Sequence, residues 1–186
     1  ILKEAMLYSL NAGGKRVRPL FVLAVMDHFN VEDDAAYTVG AVIEMIHTYS
    51  LIHDDLPSMD NDDYRRGKLT NHKVYGDAFA TLAGDALNTI AFGILARMEQ
   101  VDAQKRLELI DKLSVAAGAE GMVGGQILDI EGETKSLTLP ELEKVHVHKT
   151  GAILRFSIES GAILAGASEE EKAILVEYAH HIGLCF

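Results

Sequence analysis

The 186 residues are 48% hydrophobic and 24% charged, with 17 Lys and Arg set against 28 Asp and Glu, for a formal net charge of −11. That much apolar material can build one substantial core, so a single domain over 1–186 is expected, and the acidic balance argues against a nucleic-acid backbone or an anionic membrane surface as main partner. Three prolines, no Trp and few alternating β-branched or aromatic stretches favour helices over strands, and the expectation is an all-α protein.

The one cysteine, Cys185, has no internal partner for a disulfide, which points to a reducing compartment. The N-terminal ILKEAMLYSL places Lys3 and Glu4 in an amphipathic pattern rather than in the apolar core of a signal peptide. No uninterrupted run of about 18 apolar residues occurs, so no transmembrane segment is expected. A cytoplasmic protein follows as the expectation.

In chain order, residues 1–11 read as an amphipathic helix that Gly13 and Gly14 interrupt. A basic cluster, Lys15, Arg16 and Arg18, sits at this break before Pro19 opens the apolar LFVLAVMDHF. Asp33 or Asp34 is a plausible N-cap for a helix with Ala36, Val39, Ile43 and Ile46 at helical spacing. That helix should run to about residue 56, where Pro57 ends or kinks it. A charged, glycine-containing loop spans roughly 58–76, and residues 77–98 read as a long and central helix, apolar on most sides.

Residues 105–130 continue helical, with Gly118, Gly121 and Gly125 spaced for close approach of a neighbouring helix or of a ligand. Two capping boxes, Thr138 with Glu141 and Ser168 with Glu171, mark two further helix starts. The last helix reaches Phe186 on an apolar face with no cap, so the sequence is expected to be incomplete at its ends, with a C-terminal part missing.

The densest feature is HDDLPSMDNDDYRRG, residues 53–67. Aspartates 54, 55, 60, 62 and 63 outnumber Arg65 and Arg66, so solvent or bound cations must neutralise the rest. His47 and Asp54 lie about 20° apart on a helical wheel with Ser50 between them, a polar stripe on an apolar helix. Such carboxylates suit a hard cation that keeps waters and takes phosphate oxygens, as Mg²⁺ does. Asp54 and Asp60 lie about 240° apart on a straight helix, so sharing one ion requires the chain to loop back at Pro57.

A calcium loop beginning at Asp60 fails, because Tyr64, Arg65 and Asn71 occupy positions that need a ligand, a glycine and a glutamate. His146 and His148 do not make a metal pair either, since residues i and i+2 on a helix point apart.

The segments GGKRVRP, HTYSLIHDDLPSMDNDDYRRG, LAGDALNT, GGQILDI and HKTGAILRFS, in this order, resemble the trans-prenyltransferases, or polyprenyl diphosphate synthases, over nearly the whole chain. The resemblance implies an all-α helical bundle around a deep central cavity, the isoprenoid synthase fold. It implies Mg²⁺, or Mn²⁺ in its place, on Asp54, Asp55 and Asp60, holding an allylic diphosphate.

It further implies isopentenyl diphosphate on Lys15, Arg18, His47 and Arg66, with Arg65 on the allylic side, and Gln126, Lys149 and Thr150 near the allylic diphosphate and the developing cation. Lys149 and Thr150 interrupt an apolar stretch, which independently points to a buried polar role. In the family, product length depends on side chains just before the first aspartate motif. Tyr49 there, with a two-residue insertion in the motif, resembles farnesyl diphosphate synthases, although the wheel places Ser50 nearer the line of Asp54.

The family also carries a second aspartate-rich motif. The last aspartate here is Asp129, so a molecule ending at Phe186 is expected to bind allylic substrate weakly and to lose turnover. A homodimer is expected. Geranylgeranyl diphosphate synthesis and a non-catalytic subunit of the same fold are the alternatives. A terpene cyclase leaves Lys15 and Arg18 unexplained, and a metal phosphohydrolase built on His53 and Asp54 also leaves GGKRVRP and RRG without a role.

Overall fold

The computed structural model describes residues 1–185, and the chain is helical almost throughout. Phe186, on which the reading of the last helix ended, lies outside the described residues. The chain forms two compact units, Ile1–Arg16 with Ala41–Ile94, and Val17–Gly40 with Leu95–Phe186.

In the first unit, α1 (Leu2–Leu10) is followed by the Gly13-Gly14 turn, where both glycines have positive φ. Helix α3 (Ala35–Asp54) contributes its larger, C-terminal part to this unit. Asp33 rather than Asp34 provides the side-chain cap at its start, its Oδ1 accepting from the Ala35 amide at 2.8 Å. At the other end α3 stops at Asp54, and the chain reverses through Leu56-Pro57-Ser58-Met59. The Met59 and Asn61 amides donate to the Leu56 carbonyl, and the Asp60 amide donates to Asp54 O at 2.9 Å.

The segment read as a loop contains structure of its own. Strands β1 (Tyr64–Arg65) and β2 (Lys68–Leu69) pair antiparallel, and α4 (Asn71–Tyr75) follows. Arg66 and Gly67 both have positive φ, 53° and 76°, the signature of a two-residue type I′ hairpin turn. Asn-Gly or Asp-Gly would have announced that turn, whereas Arg-Gly does not. Asn71 fixes α4 to α1, its Nδ2 donating to Ala5 O and Ser9 Oγ at 2.8 Å each. Tyr8 of α1 donates to Leu69 O at 2.7 Å.

Helix α5 (Asp77–Ala96) is long enough and apolar enough, by length and composition, to cross a membrane, with a mean hydropathy of 1.4. The count of uninterrupted apolar residues did not register it, because Asp77 and Asp85 break the run while alanine and leucine keep the average high. Such a helix is equally the pattern of a core element. It was expected to be central, but only 33% of its most apolar window is buried. Phe79, Leu82 and Ile90 leave much of one face exposed.

The most enclosed helix of the second unit is α9 (Ala152–Ala165), buried from Ile153 to Leu164 except at Arg155. Helices α2 (Val17–His28), α6 (Ala103–Ala117) and α10 (Glu169–Cys185) pack on it. Val25, Leu154, Ile158, Ala162 and Ala179 form the core, with Phe21, Phe29 and Leu175 against it. Gly161 sets the crossing of α9 with α2, since a Cβ there would stand 2.8 Å from Val25 Cβ and 2.9 Å from the Val22 carbonyl oxygen.

The stretch read as one helix over 105–130 is two, α6 and α7 (Met122–Gly132), broken between Gly118 and Gly121. Both capping boxes are present. The Thr138 and Ser168 amides each donate to the paired glutamate at 2.8 Å, opening α8 (Leu139–His146) and α10. Between α8 and α9 the chain makes one turn of π-helix, Val147–Gly151.

Candidate functional site

Helix α3 and the hairpin organise the acidic run. Asp54 is half-buried and Asp60 exposed, and the reversal at Pro57 joins their backbones directly. Asp55 faces elsewhere. Its side chain is 4% exposed, and Arg65 Nε donates to both carboxylate oxygens at 2.8 and 2.9 Å while Nη2 stands 2.6 Å from Oδ1. Burial pushes the Asp55 carboxyl above its ordinary range against the opposing pull of Arg65.

Asp55 was expected beside Asp54 and Asp60 on a metal, and the geometry instead commits its oxygens to Arg65. The reason is the end of α3: adjacent residues there point about 100° apart, and β1 brings Arg65 to the inner one. Among the described residues no three His, Cys, Asp or Glu side chains are gathered as a ready-made metal cluster. Two hard carboxylate donors beside a chain reversal still fit Mg²⁺, which commonly takes one or two carboxylates and completes its shell with water and phosphate oxygens.

The basic residues converge from two distant stretches. The turn at Arg66-Gly67 directs the Arg66 guanidinium onto the Gly13-Gly14 turn, where Nη1 donates to Gly13 O. A Cβ on Gly14 would come within 2.6 Å of that mobile guanidinium, and its φ of +133° is one that other residues adopt only under strain. Lys15, exposed, is the next residue. Arg16 has a structural part, pairing with the buried Glu44 of α3 and donating from Nη2 to Leu10 O at 2.6 Å. His47 lies half-buried on α3, and Arg18 lies half-buried in the first turn of α2.

Tyr49 is 7% exposed and packs edge-on against His53, ring centroids 5.7 Å apart. Gly84 of α5 makes room for that imidazole, whose Nε2 lies 3.0 Å from Thr81 O and 3.7 Å from Asp85. Burial first, and the Asp54 charge second, hold the Tyr49 phenol above its ordinary pKa. The helical wheel placed Ser50 rather than Tyr49 near Asp54. Ser50 donates to its own helix at His47 O, 2.9 Å away.

In the second unit, Gln126 and Asp129 lie three residues apart on α7, on one side of the helix. Lys149 and Thr150 belong to the π turn and are half-buried rather than buried. Lys149 Nζ is 2.5 Å from Asp129 Oδ2. Gly125 takes the π turn at van der Waals contact, since a Cβ there would lie 2.6 Å from Lys149 Cα. Asp129 and the buried Asp55–Arg65 pair were not singled out in these parts by the sequence. The only signal for Asp129 was its i+3 spacing from Gln126.

The family model described as polyprenyl synthetase matches residues 1–186. The chain is 54% identical to a farnesyl diphosphate synthase of Geobacillus stearothermophilus, all of this chain aligning with 63% of that protein. It is 47% identical to a geranylgeranyl diphosphate synthase of Cyanophora paradoxa, with 98% of the chain covering 62% of that protein. The crystal structure of an FPP/GFPP synthase from Zymomonas mobilis superposes with a TM-score of 0.95 at 49% identity, over 100% of this chain and 68% of that one.

The chain therefore belongs to the polyprenyl synthetase family and has its all-α isoprenoid synthase fold. It spans just under two thirds of the length of the curated farnesyl diphosphate synthases that it matches.

Proposed function

We propose that the protein condenses isopentenyl diphosphate head to tail with an allylic diphosphate, dimethylallyl or geranyl, and makes chiefly farnesyl diphosphate. One observation carries this reading. In a single unit, Arg66 joins the Gly13-Gly14 turn beside Lys15, while Asp54 and Asp60 are drawn together at the end of α3. A cationic cradle and a separate pair of carboxylates suit two diphosphates held in two ways, one directly and one through a divalent cation.

Lys15, Arg18, His47 and Arg66 would hold isopentenyl diphosphate. Asp54 and Asp60 would hold Mg²⁺, or Mn²⁺, which when bound supplies electrostatic stabilisation of the departing diphosphate. Arg65, oriented by Asp55, would contact the allylic diphosphate, and Lys149, Thr150 and Gln126 would stand near it and the developing positive charge. The allylic carbon–oxygen bond breaks with its electron pair leaving on diphosphate. The isopentenyl double bond then attacks the allylic cation, and the proton released passes to that diphosphate, so no side-chain base is required.

Residues 1–186 would belong to one catalytic domain, incomplete at both ends, of a cytoplasmic homodimer, with the exposed Phe79, Leu82 and Ile90 face of α5 as the dimer contact. Geranylgeranyl diphosphate is the second product to consider, because the Cyanophora relative carries that name at 47% identity. The intact protein, given isopentenyl and dimethylallyl diphosphates with Mg²⁺, is expected to yield C15 product, and Asp54→Ala and Lys15→Ala should each abolish most turnover. Unchanged turnover in both variants would refute the site.

A further inference from the structure

We propose that Gly125 and Asp129 of α7 are positioning residues for Lys149, a role that rests on the reading of Lys149 as a diphosphate-side cation. Three independent features of the fold meet at this lysine. The first is the π turn Val147–Gly151 itself. A single turn with i→i+5 hydrogen bonding is rare and gathers at functional sites. It persists only where its surroundings hold it.

The second feature is a backbone clamp. On one side Gly125 meets the turn so closely that an added methyl would sit 2.6 Å from Lys149 Cα and 2.7 Å from the His148 carbonyl carbon. These are backbone atoms and cannot swing away. On the other side Gly183 of α10 faces the turn, and a Cβ there would lie 3.2 Å from Gly151 Cα. The π turn is thus seated between two residues that have no side chain, which fixes the origin of the Lys149 side chain.

The third feature fixes its end. Asp129 lies one helical turn beyond Gly125 on α7, and its Oδ2 is 2.5 Å from Lys149 Nζ. The pair is only partly exposed, 30% for Lys149 and 42% for Asp129. Four bonds of a lysine side chain are otherwise free to rotate, and one ionic contact at the tip removes most of that freedom. With the backbone clamped and the ammonium tethered, Lys149 is delivered to one place.

The test is a double-mutant cycle in the intact protein with Asp129→Asn, Lys149→Ala and the pair, assayed with varied allylic and fixed isopentenyl diphosphate. If Asp129 acts through Lys149, Asp129→Asn lowers kcat by about 10-fold or more, and the double variant is no slower than Lys149→Ala alone. The KM for isopentenyl diphosphate, measured in the converse titration at fixed allylic diphosphate, stays within about twofold in all three. Asp129→Glu, which keeps the charge, should recover part of the loss.

Multiplicative losses in the double variant, or Asp129→Asn turnover equal to wild type, would overturn the positioning role. Gly125→Ala gives a second measure: a well-folded variant, by circular dichroism and unfolding midpoint, that retains full turnover would show that the clamp does not matter. A wild-type protein that forms no prenyl product would instead refute the underlying functional reading, so the two failures are separable.

Discussion

Replacing Asp55 by alanine should destabilise the protein before any metal or substrate is added. The Asp55 side chain is 4% exposed and receives the Arg65 Nε and Nη2 groups within 2.6 to 2.9 Å. Removing one member of a buried ion pair typically costs about 3–5 kcal/mol, because the other charge is left uncompensated. Arg65 is 31% exposed and can recover part of its hydration, so the lower end applies, about 3 kcal/mol.

At the usual sensitivity of a domain this size, about 2–4 °C per kcal/mol, the unfolding midpoint should fall by roughly 6–12 °C. The assay is thermal unfolding of the intact protein in EDTA, wild type against Asp55→Ala. The double variant Asp55→Ala/Arg65→Ala should regain part of the loss, since neither charge is then buried alone. The reasoning is refuted if Asp55→Ala melts within about 1 °C of wild type without metal and differs only in its response to Mg²⁺. That outcome would restore Asp55 to the metal site.

Tyr49→Ala opens space beside His53 and near Asp54, and it should lengthen the product beyond C15 while product analysis still shows turnover; an unchanged product would remove Tyr49 from the control of length. Leu82→Glu places a charge on the exposed apolar face of α5 and should shift the protein from dimer to monomer in sedimentation experiments. A stable dimer with that substitution would place the contact elsewhere.

The helices were legible wherever local signals suffice. Asp33 caps α3, Pro57 ends it, and the two capping boxes open α8 and α10, because each of these is a matter of residues within one turn of one another. The reversal at Pro57 could be deduced because Asp54 and Asp60 cannot share a ligand on a straight helix. Pairings between distant residues could not be read. Arg65 with Asp55, Arg16 with Glu44 and Lys149 with Asp129 all depend on how folded elements face one another, and no periodicity encodes that.

The hairpin escaped for a different reason: Arg66 adopts a positive φ that its residue type disfavours, so the turn carries no composition signal. The family's ordered motifs, by contrast, pointed to Lys15 and Arg66 together although 51 positions separate them. The described structure shows the physical link, a guanidinium resting on a glycine turn.

The π turn has a consequence for how the chain tolerates length changes. It amounts to one residue in excess of what an α-helix from Leu139 to Ala165 would need. Deleting any single residue between 147 and 151 would let the backbone hydrogen bonds close as an ordinary α-helix, at no cost in hydrogen bonding. Because the bulge absorbs its extra residue locally, the same deletion would leave the residues upstream on nearly their present bearing relative to α9, so that Val145 would keep its buried position. The helices on either side can therefore accept a one-residue gap within 147–151 with the same faces packed, and what such a gap would remove is the π turn that seats Lys149.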